Sequence, residues 1–373
     1  MFSSIRGFLG RHKRKFIISG MVVGGAVLVV RYVGHKLEQW REEETTEILE
    51  RAQRRSHFES TERTCDQTIV SLAPTVQETI CGLTDTDRIV EQLKTAQPDQ
   101  KLELWAQLKV LTFTRACVLA YGGAMLVATL RVQLSVIGGY MYQDHAGPGR
   151  VSSALQESYL SLCHHFLSHG VKELCTLIQD KVVAATRNLS LKQKLTLQDV
   201  EQLFWTIQAQ VATDTLEPLR NMSRYVLLPA LDALSYNLSD HDSEVLARIA
   251  AETADILDSD EVASVASSSV AHAFSALIDG LCEGFCAVRS SKESLNDPVP
   301  GHSRAPPRPN GTLPFSHPNA VLMPLAKLIP LVNSVIHNFI SGDRQAPWLY
   351  HHLINDKFKV LSANIYEAFC QKP

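Results

Sequence analysis

The sequence predicts an all-α protein, an N-terminal membrane anchor followed by one large elongated helical bundle, and three observations carry that prediction. Apolar residues recur at intervals of three and four along most of the chain, the period of helices with one buried face. No segment alternates apolar and polar residues with period two between hairpin-type turns. Near the start, Phe16 to Val30 is an uncharged apolar run fenced by Arg11-His12-Lys13-Arg14-Lys15 and by Arg31. With 373 residues, 45% of them hydrophobic, the chain can bury a large core.

The anchor comes first. At about 1.5 Å per residue the strict apolar run reaches roughly 22 Å, short of the ~30 Å hydrocarbon layer. Lys15 and Arg31 can snorkel and Tyr32-Val33 lengthen the stretch, so the span is set at residues 16–33 behind a basic tip at 1–15. A signal peptide would begin in the same way, and a buried core helix is the other alternative. The following Gly34-His35-Lys36-Leu37-Glu38-Gln39-Trp40 offers no small-x-small cleavage site. The formal charge of −3 is uneven: the tip carries five basic residues, among them Arg11, Lys13, Arg14 and Lys15, so the remainder sums to −8. A basic tip suits anionic lipid headgroups, and an acidic remainder argues against nucleic acid.

Residues 34–58 read as a charged, membrane-proximal helix with one narrow apolar seam at Leu37, Trp40, Ile48, Leu49 and Ala52. The bundle follows at 59–373. Ser60 to Val90 keeps helical spacing, and Pro74 is expected to break or bend it. Pro98-Asp99 punctuates the chain, with Asp99 a candidate N-cap for a helix starting near Lys101. Leu111 to Tyr142 is a second hydrophobic stretch, uncharged from Ala116 to Leu130 between Arg115 and Arg131. It reads either as a second span or as a helix buried on all sides. Gln133, Ser135 and the Gly138-Gly139 pair (a break or a close approach) favour the buried helix.

Beyond Gly147-Pro148-Gly149 the pattern Leu155, Tyr159, Leu162, Phe166, Leu174, Ile178, Val182 predicts one long amphipathic helix interrupted at Gly170. Helices are then expected over Gln198–Val211, Leu216–Leu234, Ser243–Leu257 and Val262–Val288, with Asp240 or Asp242 and Asp258 or Asp260 as caps. A proline-rich flexible loop at 290–318 lies inside the fold, because Ala320–Ile340 and Ala346–Phe369 again read as helices.

The chain carries little that reads as catalytic chemistry. It has no phosphate loop, no G-x-G-x-x-G, no G-x-S-x-G and no H-E-x-x-H, so it is read as no enzyme, with no cofactor and no small-molecule substrate. His165 and His169, near Cys163 and Cys175, read as an ordinary helix face rather than a metal site, and Cys282-x-x-x-Cys286 as core. The eight cysteines are scattered and read as reduced thiols. The sequons at Asn188, Asn221, Asn237 and Asn310 matter only in a secretory lumen. Asp240-His241-Asp242-Ser243 reads as helix capping, Pro306-Pro307-Arg308-Pro309 as loop, and Gly20-x-x-x-Gly24 as a weak packing motif.

Trp105 is the informative residue. Leu104, Leu108 and Leu111 form the core stripe of its helix, and Trp105 sits about 100° round from Leu104 with Lys101 and Lys109 four residues to either side. Spacing leaves two readings open: a half-buried surface residue, or the floor of a groove for a partner's amphipathic helix with acidic flanks.

Several segments resemble the peroxin-3 family, above all its vertebrate members. They are Arg11-His12-Lys13 before the anchor, His57-Phe58-Glu59-Ser60 with Arg63-Thr64-Cys65, and Lys101-Leu102-Glu103-Leu104-Trp105. Phe113-Thr114-Arg115, Leu130-Arg131-Val132-Gln133-Leu134, Ile137-Gly138-Gly139-Tyr140, Pro324-Leu325-Ala326-Lys327 and Asn364-Ile365-Tyr366-Glu367-Ala368-Phe369 continue it to the end of the chain. Asn188 to Pro318 matches the family least. The resemblance implies an integral peroxisomal membrane protein whose large C-terminal domain faces the cytosol and docks peroxin-19, the carrier of newly made peroxisomal membrane proteins. It implies that an amphipathic N-terminal helix of peroxin-19 enters a groove at Trp105, with Leu108, Leu93 and Lys101 beside it and Lys94 and Lys327 also carried over. It implies further that the first forty or so residues suffice for targeting. The spread of Lys and Arg about the anchor would place the large domain on the other side of the membrane, a rule that describes translocon insertion. The alternative function is a membrane-anchored structural tether or lipid-handling bundle, which would show no dominant hot spot.

Overall fold

A computed structural model describes residues 36, 45, 47–144, 151–227, 238–293, 321–342 and 346–370. The basic tip with Arg11, Lys13, Arg14 and Lys15, the predicted span and nearly all of the proline-rich loop lie outside the described residues. So does the second half of the predicted Leu216–Leu234 helix. The chain divides into two compact units, Met1–Glu59 and Ser60–Pro373. In the first, residues 47–59 are helical and largely exposed, including Ile48 and Leu49 of the expected seam. Arg51 pairs with Glu47 at 2.8 Å and Arg55 with Glu59 at 3.1 Å, each across one helical turn.

The second unit is a helical bundle. Its first helix, α1 (60–83), buries Ile69, Ala73, Val76 and Ile80 at helical spacing. Pro74 neither breaks nor ends it. Its ring is on the exposed face, where the missing N–H costs one solvent-side bond while the opposite face stays packed. α2 (Thr86–Thr95) opens on Asp85, whose side chain accepts the Arg88 N–H at 2.9 Å. α3 (Pro98–Asp144) begins with Pro98, and the Lys101 N–H bonds the Gln97 carbonyl at 3.2 Å. Gln97 is therefore the cap, and Asp99 lies in the first turn, where its charge suits the helix N-terminus.

α3 is the axis of the bundle. Every residue from 112 to 139 is buried, and α2, α12, α9 and other helices pack around it. Among the described residues two helices, α3 and α9, are apolar and long enough to cross a membrane by length and composition; the apolar stretch of α3 is 89% buried within the protein. The second hydrophobic stretch is thus the core helix. Two of its polar residues find partners inside the protein: Arg131 reaches Asp66 at 2.6 Å and Glu62 at 3.5 Å, and Gln133 donates to the Tyr159 carbonyl at 3.3 Å. The Gly138-Gly139 pair marks a close approach, without a break. A Cβ on Gly139 would stand 2.5 Å from the Phe369 Cβ on α12.

α4 (Ser153–Ser161) and α5 (Val171–Thr186) replace the single long helix expected there. Between them the turns widen into a π-helical segment, Phe166–Gly170, and the Gly170 backbone lies against the Tyr225 carbonyl, where a Cβ would collide at 2.1 Å. α6 (Leu197–Ala212), α7 (Met222–Val226), α8 (Asp240–Leu257) and α9 (Asp260–Glu293) follow. The caps of α8 and α9 are serines. Ser239 accepts from the Asp242 N–H at 3.1 Å and Ser259 from the Val262 N–H at 3.3 Å. Asp258 instead accepts from the Ser223 N–H at 2.8 Å, tying α7 to the end of α8.

α10 (Leu325–Ile340) is preceded by Met323–Pro324, which forms a two-residue antiparallel bridge with Lys194–Leu195. The predicted Ala346–Phe369 helix is three pieces, a 3₁₀ turn at Pro347–Leu349, α11 (Tyr350–Leu353) and α12 (Asp356–Cys370). None of the eight cysteines forms a disulfide. Cys286 is exposed and Cys282 half-buried, so this pair is on the surface of α9; the helix turns that face outward there. Among the described residues no group of three or more metal-ligating side chains comes together, and the His165 and His169 rings are stacked with centroids 5.4 Å apart.

Candidate functional site: a lysine-edged groove at Trp105

Three helices each turn one face to a common groove with a volume of about 730 Å³. α2 contributes Asp87, Val90, Leu93 and Lys94, three and four residues apart, and α3 contributes Lys101, Trp105 and Leu108 at i, i+4 and i+7. α10 closes the far side with Ile329, Pro330, Asn333, Ser334 and His337. Leu108 is buried and belongs to the core, whereas Trp105 and Leu93 are half-buried, apolar surface turned to the opening.

The walls are fixed by buried polar contacts. Thr86 on α2 donates to the Asn333 side-chain oxygen on α10 at 3.0 Å. Arg115, one helical segment below the groove on α3, donates to the Thr84 hydroxyl at 3.1 Å and to the Thr84 carbonyl at 2.5 Å. It thereby holds the α1–α2 turn. The first N–H groups of α10, from Leu325 and Ala326, bond the Gln193 and Leu191 carbonyls at 2.8 and 3.0 Å. Pro330 then presents a rigid ring to the groove.

Of the residues singled out by sequence, Trp105, Leu108, Leu93, Lys101 and Lys94 line this one groove. Lys94 is exposed and holds Glu91 at 2.6 Å; Lys101 is exposed, and its ammonium makes no ion pair or hydrogen bond among the described residues. Lys327 is exposed on α10, one turn before Pro330, and is not part of the lining. Lys109, expected to flank Trp105, is turned inward and 8% exposed. Its ammonium donates to the Thr186 carbonyl at 2.8 Å and the Leu189 carbonyl at 3.2 Å, capping the end of α5, and burial lowers its pKa. The whole α10 wall was invisible to spacing arguments within α3. Its signal was only that Leu325–Ile340 would be a strongly amphipathic helix, and which surface it meets is decided by contacts across more than two hundred residues.

The sequence matches the Peroxin-3 family over residues 7–99, 94–146 and 140–368. It is 33% identical over 384 residues to the rat protein named peroxisomal biogenesis factor 3, covering 99% of this chain and 98% of the relative. The human protein of that name is 33% identical over 387 residues with the same coverage. Peroxisome biogenesis protein 3-2 of Arabidopsis thaliana is 25% identical over 292 residues, 71% of this chain and 79% of the relative. These relatives are named as biogenesis factors, not as enzymes. The chain belongs to the Peroxin-3 family, and through it to the proteins of peroxisome biogenesis.

Proposed function

We propose that this protein is a docking receptor of the peroxisomal membrane, held by the span at 16–33 with its large domain in the cytosol, and that it captures an amphipathic helix of the carrier peroxin-19. The observation that carries the reading is the convergence of Trp105, Leu93 and Leu108 with the α10 residues Ile329 and Pro330 around one apolar groove. A helix with an apolar face gains from burial there, and a half-buried tryptophan at the edge of a core stripe is the residue type that dominates such contacts. Lys101 and Lys94 favour acidic flanks on the incoming helix and speed its approach. Lys327 acts from the same helix face as Pro330. The basic tip, with Arg11, Lys13, Arg14 and Lys15, meets anionic peroxisomal lipids. Docking of this kind needs no catalytic group and no cofactor.

The test is calorimetric titration of the full chain in detergent micelles with a peptide of the peroxin-19 N-terminal helix, wild type against Trp105→Ala. The substitution is expected to cost about 2–4 kcal/mol of binding free energy, roughly 30-fold to 1,000-fold in Kd, with an unchanged thermal melt. Tight binding indifferent to Trp105→Ala moves the site elsewhere; no binding leaves the tether or lipid-handling reading.

A further inference from the structure

A second groove, sharing no lining residue with the first, lies between α6 and α9 and encloses about 310 Å³. Its floor is aromatic. Phe204 and Phe274 stand with ring centroids 5.5 Å apart, and Phe204 rests in turn on Phe113 of α3 at 5.4 Å. Ile278 adds apolar surface. Over this floor rises Trp205, which is 66% exposed. A tryptophan so exposed is unusual in a protein whose other stripe residues on α6 (Val200, Phe204, Ile207, Val211) are fully packed.

The charge at this groove has one sign. Glu201, one turn before Trp205, and Asp279 on α9 line it, and no lysine, arginine or histidine does. Among the described residues neither carboxylate makes an ion pair or hydrogen bond, and the Trp205 indole N–H has no acceptor. Two free carboxylates beside an exposed indole face are what a guanidinium fits: it stacks flat on the ring while its N–H fork meets the carboxylate oxygens. Anionic ligands, nucleic-acid or lipid phosphates included, are repelled.

We propose that the α6–α9 groove is a second docking site, one that takes an arginine-bearing segment of a partner protein, with the arginine stacked on Trp205 between Glu201 and Asp279. The observation behind it is charge complementarity at a preformed aromatic floor, and it is independent of what occupies the Trp105 groove.

The test uses the full chain in neutral detergent micelles and fluorescence anisotropy of a labelled dodecapeptide of alternating arginine and proline. The control peptide replaces each arginine by uncharged citrulline. Binding of the arginine peptide should weaken about 10-fold or more in Trp205→Ala and in the pair Glu201→Gln with Asp279→Asn, and only partly in Trp205→Phe. It should also weaken with added salt in the wild type and lose that dependence in the carboxylate variant. Because all three side chains are exposed, the melts should coincide with wild type. Equal affinity across these variants, equal binding of the citrulline peptide, or no binding overturns the proposal. So does a concentration-dependent dimer that Trp205→Ala dissolves, since the occupant would then be a second copy.

Discussion

Trp105 and Trp205 occupy equivalent registers on two different helices, and the comparison separates what makes a groove from what chooses its occupant. Each tryptophan follows a residue packed on the core, the half-buried Leu104 in one helix and the fully buried Phe204 in the other. Each therefore sits about 100° round, at the edge of a packed stripe where a second helix leaves a gap. The neighbour one turn earlier differs in sign: Lys101 before Trp105, Glu201 before Trp205. The neighbour one turn later differs in role. Lys109 is drawn inward as a helix cap, whereas Ala209 is exposed and inert. On the two proposals, the same steric device takes an acidic helix in one place and a cationic segment in the other.

The strongest way to break this comparison is to cross the ligands. Trp105→Ala should remove about 2–4 kcal/mol from the helical peptide and leave the arginine peptide unaffected, and Trp205→Ala should do the reverse. Parallel titrations of both variants with both peptides measure it. A loss of both ligands from either substitution would mean that the grooves are one coupled site.

How much of this was legible in the sequence differs between the grooves. The all-α class follows from apolar spacing, and five of the six candidates on α2, α3 and α10 line one groove, although of the stripe Leu104, Leu108 and Leu111 only Leu108 is fully buried. The burial of α3 was foreshadowed by Gln133 and the glycine pair, since a lipid-facing helix would leave those groups without partners. Lys327 and Lys109 were misplaced because position along one helix does not say which neighbour it meets: Lys109 found the open carbonyls at the end of α5, a contact seventy-seven residues distant. Trp205 is not legible from spacing, because a tryptophan in a helical segment reads as core until the partner helix is known. Its signal was that Val200, Phe204, Ile207 and Val211 already complete the stripe without it.

Arg115 distinguishes the grooves by support. Replacing it with methionine leaves the Thr84 hydroxyl and carbonyl without their donors inside the protein, an expected loss of about 3 kcal/mol of stability. Because those bonds hold α2 but touch neither α6 nor α9, the helical peptide should weaken while the arginine peptide binds as before. Denaturant unfolding together with the two titrations separates these effects.

His352 gives a pH handle on the other side. It is fully buried on α11, its Nδ1 paired with the Ser269 hydroxyl of α9 at 2.8 Å. Burial first, and then the neighbouring His351 and His272, push its pKa down to about 3 from the usual 6.5. Below pH 6.5 the unfolded chain gains a proton that the folded chain refuses, so stability falls as pH drops toward 3. About 2 kcal/mol should be gone by pH 5. Melts from pH 7.5 to 5 should show the decline in wild type and a much flatter course in His352→Leu; an equally steep course there would assign the loss to other histidines.

The smallest effect tests the charge half of the comparison. Lys94 is already paired with Glu91 on an exposed helix surface, and its net field is weak, whereas the Lys101 ammonium makes no ion pair among the described residues. Lys101→Gln should therefore slow association of an acidic-flanked helical peptide several-fold at low salt, and Lys94→Gln should slow it less. Each should change the equilibrium by under about 1 kcal/mol, and the difference should fade as the Debye length shrinks from about 30 Å at 0.01 M salt to 8 Å at 0.15 M. Stopped-flow association at these two salt concentrations is the measurement. Rates that ignore Lys101 at low salt would show that the lysine edge of the Trp105 groove does not select its occupant, and the groove would then rely on apolar burial alone.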